Sequence, residues 1–195
     1  MRGFKLSRDP LFVDKLEDLV GLYMFPPEHA DAVLRREEPG AGAGSHAAGL
    51  AAEEGPRADD DARLQRHGTT TLFAALNVLD GQVIGQCQQR HTQAEWLKFL
   101  LKIDRETPKG KTLHLIAENY ATHTHPAVQA WLAKYTRFNM HFTPTSASWL
   151  KMVDRFFRDL TTERPHRGVF TSVPELVMAI AEYVAHHNTD SKPFI

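Results

Sequence analysis

Apolar and polar positions along this chain fall in blocks that switch between a helical and a strand period. Phe12, Leu16, Leu19 and Val20 recur at helical spacing behind Asp9-Pro10, which predicts a helix over about 10–20. Pro26-Pro27 closes that block, and Ala32-Val33-Leu34 begins a strand. Residues 70–79, TTLFAALNVL, are β-rich. Asp80-Gly81 is a two-residue hairpin signal, and residues 82–86 return as the partner strand. Thr92 caps a helix running to about Asp104, with Trp96, Leu97, Leu100, Leu101 and Ile103 as its apolar side. Pro108-Lys109-Gly110 turns the chain into a buried strand over 113–117. A helix over 125–135 opened by Pro126, a strand over 138–142, and helices over about 148–162 and 173–187 complete the pattern. Antiparallel strands followed by a β-α-β-α-α run define an α/β fold, a mixed sheet flanked by helices.

One stretch has no period. Residues 35–64 contain eight Ala, five Gly and eleven charged residues, with Leu50 and Leu64 as the only large apolar side chains. So little apolar surface cannot offset the entropy of ordering the backbone, which predicts disorder, as in a flexible linker or surface insertion.

Composition narrows the class. At 195 residues, 42% hydrophobic and 24% charged, the chain reads as one soluble domain, or a domain with a tail. No apolar run reaches membrane-spanning length and no secretory start is present, so the cytoplasm is the expected compartment and no membrane partner is expected. Cys87 is the only cysteine, which excludes an intrachain disulfide and a cysteine-based zinc site. The net charge of −1 does not suggest a nucleic-acid binder, but the charge is uneven. Between Lys134 and Arg167, seven Lys or Arg residues stand against three acids. That region is either a DNA-facing surface or a solvated helix face.

The chemistry centres on two carboxylates. Glu118 leaves the apolar strand LHLIA, and Asp154 sits on the later helix beyond the edge of an apolar face formed by Trp149, Met152, Val153, Phe156, Phe157 and Leu160. An acid at a strand end and an acid on a following helix are suited to holding Mg2+ through hard oxygen ligands. An i,i+4 pair of Asp154 with Arg158 is the plain alternative. His123 and His125, two apart in a loop with no further ligand beside them, read as surface histidines rather than a metal pair.

The segments HGTTTLFAALNVLDGQVIGQCQQRH, AENYATHTHPAVQAWLAK, HFTPTSASWLKMVDRFF and RGVFTSVPELVMAIAEYVAHHN resemble, in order and spacing, the catalytic domain of bacterial mariner-like insertion-sequence transposases. These are DDE endonucleases with a ribonuclease-H-like fold. The resemblance covers about residues 66–194, and more weakly 1–34. It implies DNA cleavage and strand transfer, with DNA ends and a target as partners, a possible homodimer, and Mg2+ or Mn2+ held by three carboxylates.

Carried onto this sequence, the family's second acid falls on Glu118, within Ala117-Glu118-Asn119-Tyr120-Ala121-Thr122-His123, where the usual residue is Asp. The third falls on Asp154, where Glu is commoner in this branch. The first should close the strand at Leu34. An ungapped count reaches Glu37, beside Glu38, but the family pattern there resembles V-D-E-K-S-Q. In a frameshifted segment these acids would be accidental and the family's first acid lost. Asn119 and His123 would orient the turn after the strand or touch DNA. Thr145, Ser148, Lys151, Arg155 and Arg158 would meet DNA phosphates at the start and along the face of the later helix, with Ser148 serving equally as a plain N-cap. Residues 1–34 would be the remnant of a linker helix and the first strand, preceded in the family by a helix-turn-helix domain, so the chain reads as truncated. Residues 35–65 read as a frameshifted segment, or else a true insertion, and 66–195 as the catalytic core. The expected result is a degenerate transposase domain, or a catalytically dead nucleic-acid-binding relic. Because the first strand would be central in the sheet, damage there threatens folding itself.

Overall fold

Strand β2 (Thr71–Asn77) is buried over nearly its whole length, and the reason is its place in the sheet. The computed structural model describes residues 9–24, 30–37, 70–144, 156–157, 159–160 and 172–193. Helix α1 (Phe12–Met24) precedes β1 (Ala30–Glu37), which is followed by β2 and β3 (Val83–Gln88). Then come α2 (Gln93–Glu106), β4 (Thr112–Ala117), α3 (Pro126–Lys134), β5 (Phe138–Phe142) and α4 (Val173–Thr189). The five strands form one sheet in the order β3-β2-β1-β4-β5. β1 pairs antiparallel with β2 and β2 with β3, whereas β1–β4 and β4–β5 are parallel. The C-terminal ends of β1, β4, β5 and β3 therefore share one edge of the sheet with the N-terminal end of β2.

Both sheet faces are covered. On one, Phe73, Ala75, Leu113, Leu115 and Phe138 pack against Trp96, Phe99, Leu100 and Ile103 of α2 and Val128 of α3. Each such large side chain contributes about 1.5–3 kcal/mol over its exposed state. On the other, Leu72, Ala74, Leu76 and Val83 meet Phe156, Phe157, Leu160 and Tyr183 of α4, while Ile116 and Val78 meet Leu19 and Leu22 of α1. Phe156, Phe157, Asp159 and Leu160 are helical, and the three apolar ones belong to the face expected of the helix over 148–162. No helix among the described residues is long and apolar enough to cross a membrane.

The hairpin turn includes Asp80-Gly81 but spans four residues, 78–81, rather than the two expected, since Asn77 N–H donates to Gln82 O at 2.8 Å across its base. Gly81 has φ +76°, its N–H donates to Asn77 O at 2.7 Å, and Asp80 Oδ1 accepts from Gln82 N at 2.8 Å. A Cβ on Gly81 would lie 2.1 Å from the Lys192 carbonyl oxygen, so the chain beyond α4 also requires glycine here. Asn188 fastens α4 to the hairpin, bonding both the N–H and the C=O of Val83 at 2.8 Å.

Three expectations change. α2 buries Phe99 and leaves Leu101 38% exposed, because the stripe 96, 99, 100, 103 follows the helical period more closely than one including 101. α1 runs on to Met24, burying Leu22 and leaving Val20 exposed. Strand β1 does not stop at Leu34. Arg35, Arg36 and Glu37 continue it, paired to Leu76, Ala75 and Ala74 of β2, so the expected disordered segment does not begin at 35. A central strand takes hydrogen bonds from neighbours on both sides, and this ladder outweighs the charged local composition. The rest of the Ala/Gly-rich stretch, 38–64, lies outside the described residues.

Candidate active site

The shared sheet edge carries the two acids of the early chain, Glu37 at the end of β1 and Glu118 just after β4. In the parallel β1–β4 register, Leu34 stands opposite Leu115 and Arg35 opposite Ile116. Two residues further along each segment come Glu37, the last residue of β1, and Glu118, the first after β4. Adjacent strands lie about 4.8 Å apart, so the two positions are neighbours across the ladder at its C-terminal end. β5 stays alongside to this edge, with Thr143 N–H donating to Ala117 O at 2.9 Å.

The turn after β4 fixes Glu118 from behind. Its carbonyl oxygen accepts from Tyr120 N–H at 2.9 Å and lies 2.5 Å from His123 Nδ1. A carbonyl can only accept, so Nδ1 of His123 carries the proton. His123 N–H in turn donates to Tyr120 O at 2.9 Å. The His123 ring is 2% exposed and packs on Trp96 of α2, centroids 4.9 Å apart. Of the two roles open to His123, holding the turn is the one its burial supports, and a direct DNA contact is not. Asn119 is exposed at the edge. His125 caps α3, its Nδ1 accepting from Ala127 N–H at 3.2 Å, and is exposed as expected of a surface histidine. The buried His123 is not one, because the turn folds its ring onto Trp96.

Glu38, Thr145, Ser148, Lys151, Asp154, Arg155 and Arg158 lie outside the described residues. Among the described residues, no three His, Cys, Asp or Glu side chains form a metal-holding group. A groove of about 350 Å³ runs along the β3 edge beside α4, lined among others by Cys87, Lys102 and Val184. It contains neither Glu37 nor Glu118.

Two constellations were not anticipated. Arg137, counted in the basic region, is turned inward. Its guanidinium reaches Asp104 Oδ1 at 3.3 Å, Thr107 Oγ1 at 3.1 Å and Pro108 O at 2.8 Å, tying the start of β5 to the end of α2. Nothing in its local sequence distinguishes it from a solvent-facing arginine. The second is a chain of three groups on the α1 face: His114 Nδ1 lies 3.0 Å from His141 Nε2, and His141 Nδ1 lies 2.7 Å from Asp18 Oδ2. Burial first, then the neighbouring His141, hold the His114 imidazole below the usual histidine range, against the opposing pull of Asp18. The polar residue in an otherwise apolar strand LHLIA was the available signal for His114.

A five-stranded mixed sheet in the order 3-2-1-4-5 flanked by helices defines a ribonuclease-H-like core, and comparison with known proteins agrees. The model of the DDE superfamily endonucleases matches residues 38–177, well over half of the chain, so the chain belongs to that family. The match begins inside the stretch that the frameshift reading sets apart from the family pattern, and it spans both Glu118 and Asp154. Within the family it is a mariner- and IS630-like transposase catalytic domain. It is 26% identical over 98 residues to the insertion element IS630 uncharacterized 39 kDa protein of Shigella sonnei, a match covering 49% of this chain and 29% of that protein. The fold is similar to the catalytic domain of Mos1 mariner transposase, with TM-score 0.64, 12% identity, and coverage of 93% of this chain and 83% of that one. It is also similar to the Mos1 strand transfer complex, with TM-score 0.60 and 14% identity over 88% of this chain and 52% of that one. The catalytic core of BIV integrase matches with TM-score 0.53 and 14% identity over 84% of this chain and 91% of that one.

Proposed function

We propose that this chain carries out divalent-metal-dependent DNA strand cleavage and transfer in the movement of a bacterial insertion sequence, with Glu37 and Glu118 as two of its three carboxylates and Asp154 as the third. The observation that supports this reading is the parallel β1–β4 pairing, which runs to Arg35 and Ile116, two residues short of Glu37 and Glu118 on neighbouring segments. Two glutamates on adjacent strand segments would offer hard oxygen donors, which suit Mg2+ or Mn2+ better than softer metals. The chemistry that such ions supply when bound is activation of water or a 3′-hydroxyl and stabilisation of the leaving oxygen. The chain's own contribution is placement. His123 pins the Glu118 carbonyl, and the β1–β4 ladder brings the segments that carry the two acids side by side. The partners are the insertion-sequence ends and target DNA, engaged by a homodimer in the bacterial cytoplasm.

The site is weakened relative to its family. Glu118 is one methylene longer than the Asp expected there, and catalytic placement must hold to about half an ångström. Nicking of supercoiled plasmid in Mn2+ and in Mg2+ tests the proposal. Slow nicking that is lost in Glu118→Gln, Glu37→Gln and Asp154→Asn supports it. No nicking in either ion, with retained DNA binding, overturns it in favour of a DNA-binding relic, the reading that the Glu-for-Asp change favours.

A further inference from the structure

Two residues beyond Glu118 stands an aromatic ring for which neither the core nor the carboxylate chemistry gives a reason. Tyr120 is 52% exposed at the sheet edge. Single exposed aromatics are ordinary on loops, and most are free to turn. This one is braced on two sides. His91, in the segment between β3 and α2, meets it edge-on at 6.3 Å and 84°, and His123 meets it edge-on at 5.9 Å and 81°. Neither brace is loose: His91 rests on Phe73 of β2 at 5.5 Å, and His123 rests on Trp96 of α2 at 4.9 Å. The His91 and His123 rings also touch each other, 6.1 Å apart and near perpendicular. The backbone is tied as well, through the Tyr120 N–H bond to Glu118 O and the His123 N–H bond to Tyr120 O. A column of rings thus rises from the fully buried Phe73 and Trp96 to an exposed ring at the same edge as Glu37 and Glu118.

We infer that Tyr120 is a preformed stacking platform for an unpaired nucleobase of the DNA strand held at the Glu37–Glu118 edge. A ring fixed before binding loses little side-chain entropy when a base lands on it, and every base presents a π-face to it, so the contact favours unstacked DNA without reading its sequence. His91 and His123 are positioning residues: they hold the ring and do not touch DNA. The inference rests on the DNA-processing reading above and adds the form of DNA this edge prefers. A duplex keeps its bases stacked on one another, so the platform engages an overhang or a frayed end.

The test is fluorescence anisotropy of the full chain in EDTA, which removes metal chemistry from the measurement, with a blunt duplex and the same duplex carrying a short single-stranded overhang. Wild type should bind the overhang form more tightly. Tyr120→Ala should weaken overhang binding roughly tenfold and leave blunt binding nearly unchanged, while Tyr120→Phe, which keeps the π-face, should retain the preference. His91→Ala should fall between the two, with a melting curve confirming that it is folded. Equal loss in Tyr120→Phe and Tyr120→Ala would overturn the platform, since the hydroxyl would then be the contact. So would a wild type that binds both duplexes equally, or a Tyr120→Ala chain indistinguishable from wild type. A wild type that binds neither duplex would sink the DNA reading itself, and the platform with it.

Discussion

At the scale of single residues, the turn after β4 shows how one side chain acts through another. His123 is buried behind the turn. It fixes a carbonyl, and so the starting point of the Glu118 side chain. In the proposed site, Glu118 is one methylene longer than the Asp usual in the family. Glu118→Asp is therefore expected to raise the Mn2+-dependent nicking rate by roughly tenfold or more, since small misplacements at such a site cost large factors in rate. A fall in rate would mean that the site has adapted to Glu. His114 gives a pH prediction. Its imidazole sits below the usual histidine range when folded, so the unfolded chain takes the proton more readily. The stability it contributes is complete above the ordinary value of about 6.5 and is lost as pH falls below it toward the lowered folded value. Thermal melts from pH 7.5 to 5.5 should show a falling midpoint, and His114→Gln should flatten part of that fall. An unchanged slope in the variant would assign it to other groups.

At the scale of elements, caps and clamps decide boundaries that periodicity leaves open by a few residues. α2 starts where it does because Thr92 and Glu95 form a reciprocal capping box, with the Thr92 side chain accepting from Ala94 N–H at 3.2 Å and Glu95 bonded back to Thr92. Thr92→Ala should lower stability by about 1 kcal/mol, read as a shift in the denaturant midpoint at unchanged slope. The far end of α2 is held by Arg137. Its replacement by Ala should destabilise the fold by about 2 kcal/mol, because charged-group hydrogen bonds to Thr107 and Pro108 are lost together. DNA affinity of the folded variant should stay the same. If affinity fell without loss of stability, Arg137 would belong to the binding surface after all. The Asp80-Gly81 signal located the turn, because turn geometry is local, but not its length, which is four residues rather than two. The fate of Arg137 was not, because its partners lie about thirty residues away.

At the scale of the whole molecule, the candidate site exists only through the β1–β4 pairing, which joins segments some eighty residues apart in the chain. Its two acids should therefore behave as a unit. Isothermal titration with Mn2+ should show Glu37→Gln and Glu118→Gln each removing most of the binding, and the double variant removing little more. Additive losses would place the two carboxylates on separate ions or outside the site. The strand that carries Glu37 is also the middle of the sheet, so any change that unpairs β1 removes the site and the fold together.

The sequence by itself determined the element types, the place of the hairpin turn, the helix cap at Thr92 and the family, because each depends on periodicity or on a few adjacent residues. It also marked Glu118, through the motif that surrounds it. Tertiary structure alone decided that β1 continues through Arg35, Arg36 and Glu37, since a central strand is held by backbone bonds to two neighbours whatever its side chains. It alone turned Arg137 inward, buried His123 and stood Tyr120 on a column of rings. Those outcomes depend on contacts between distant segments, and no local pattern of letters encodes them.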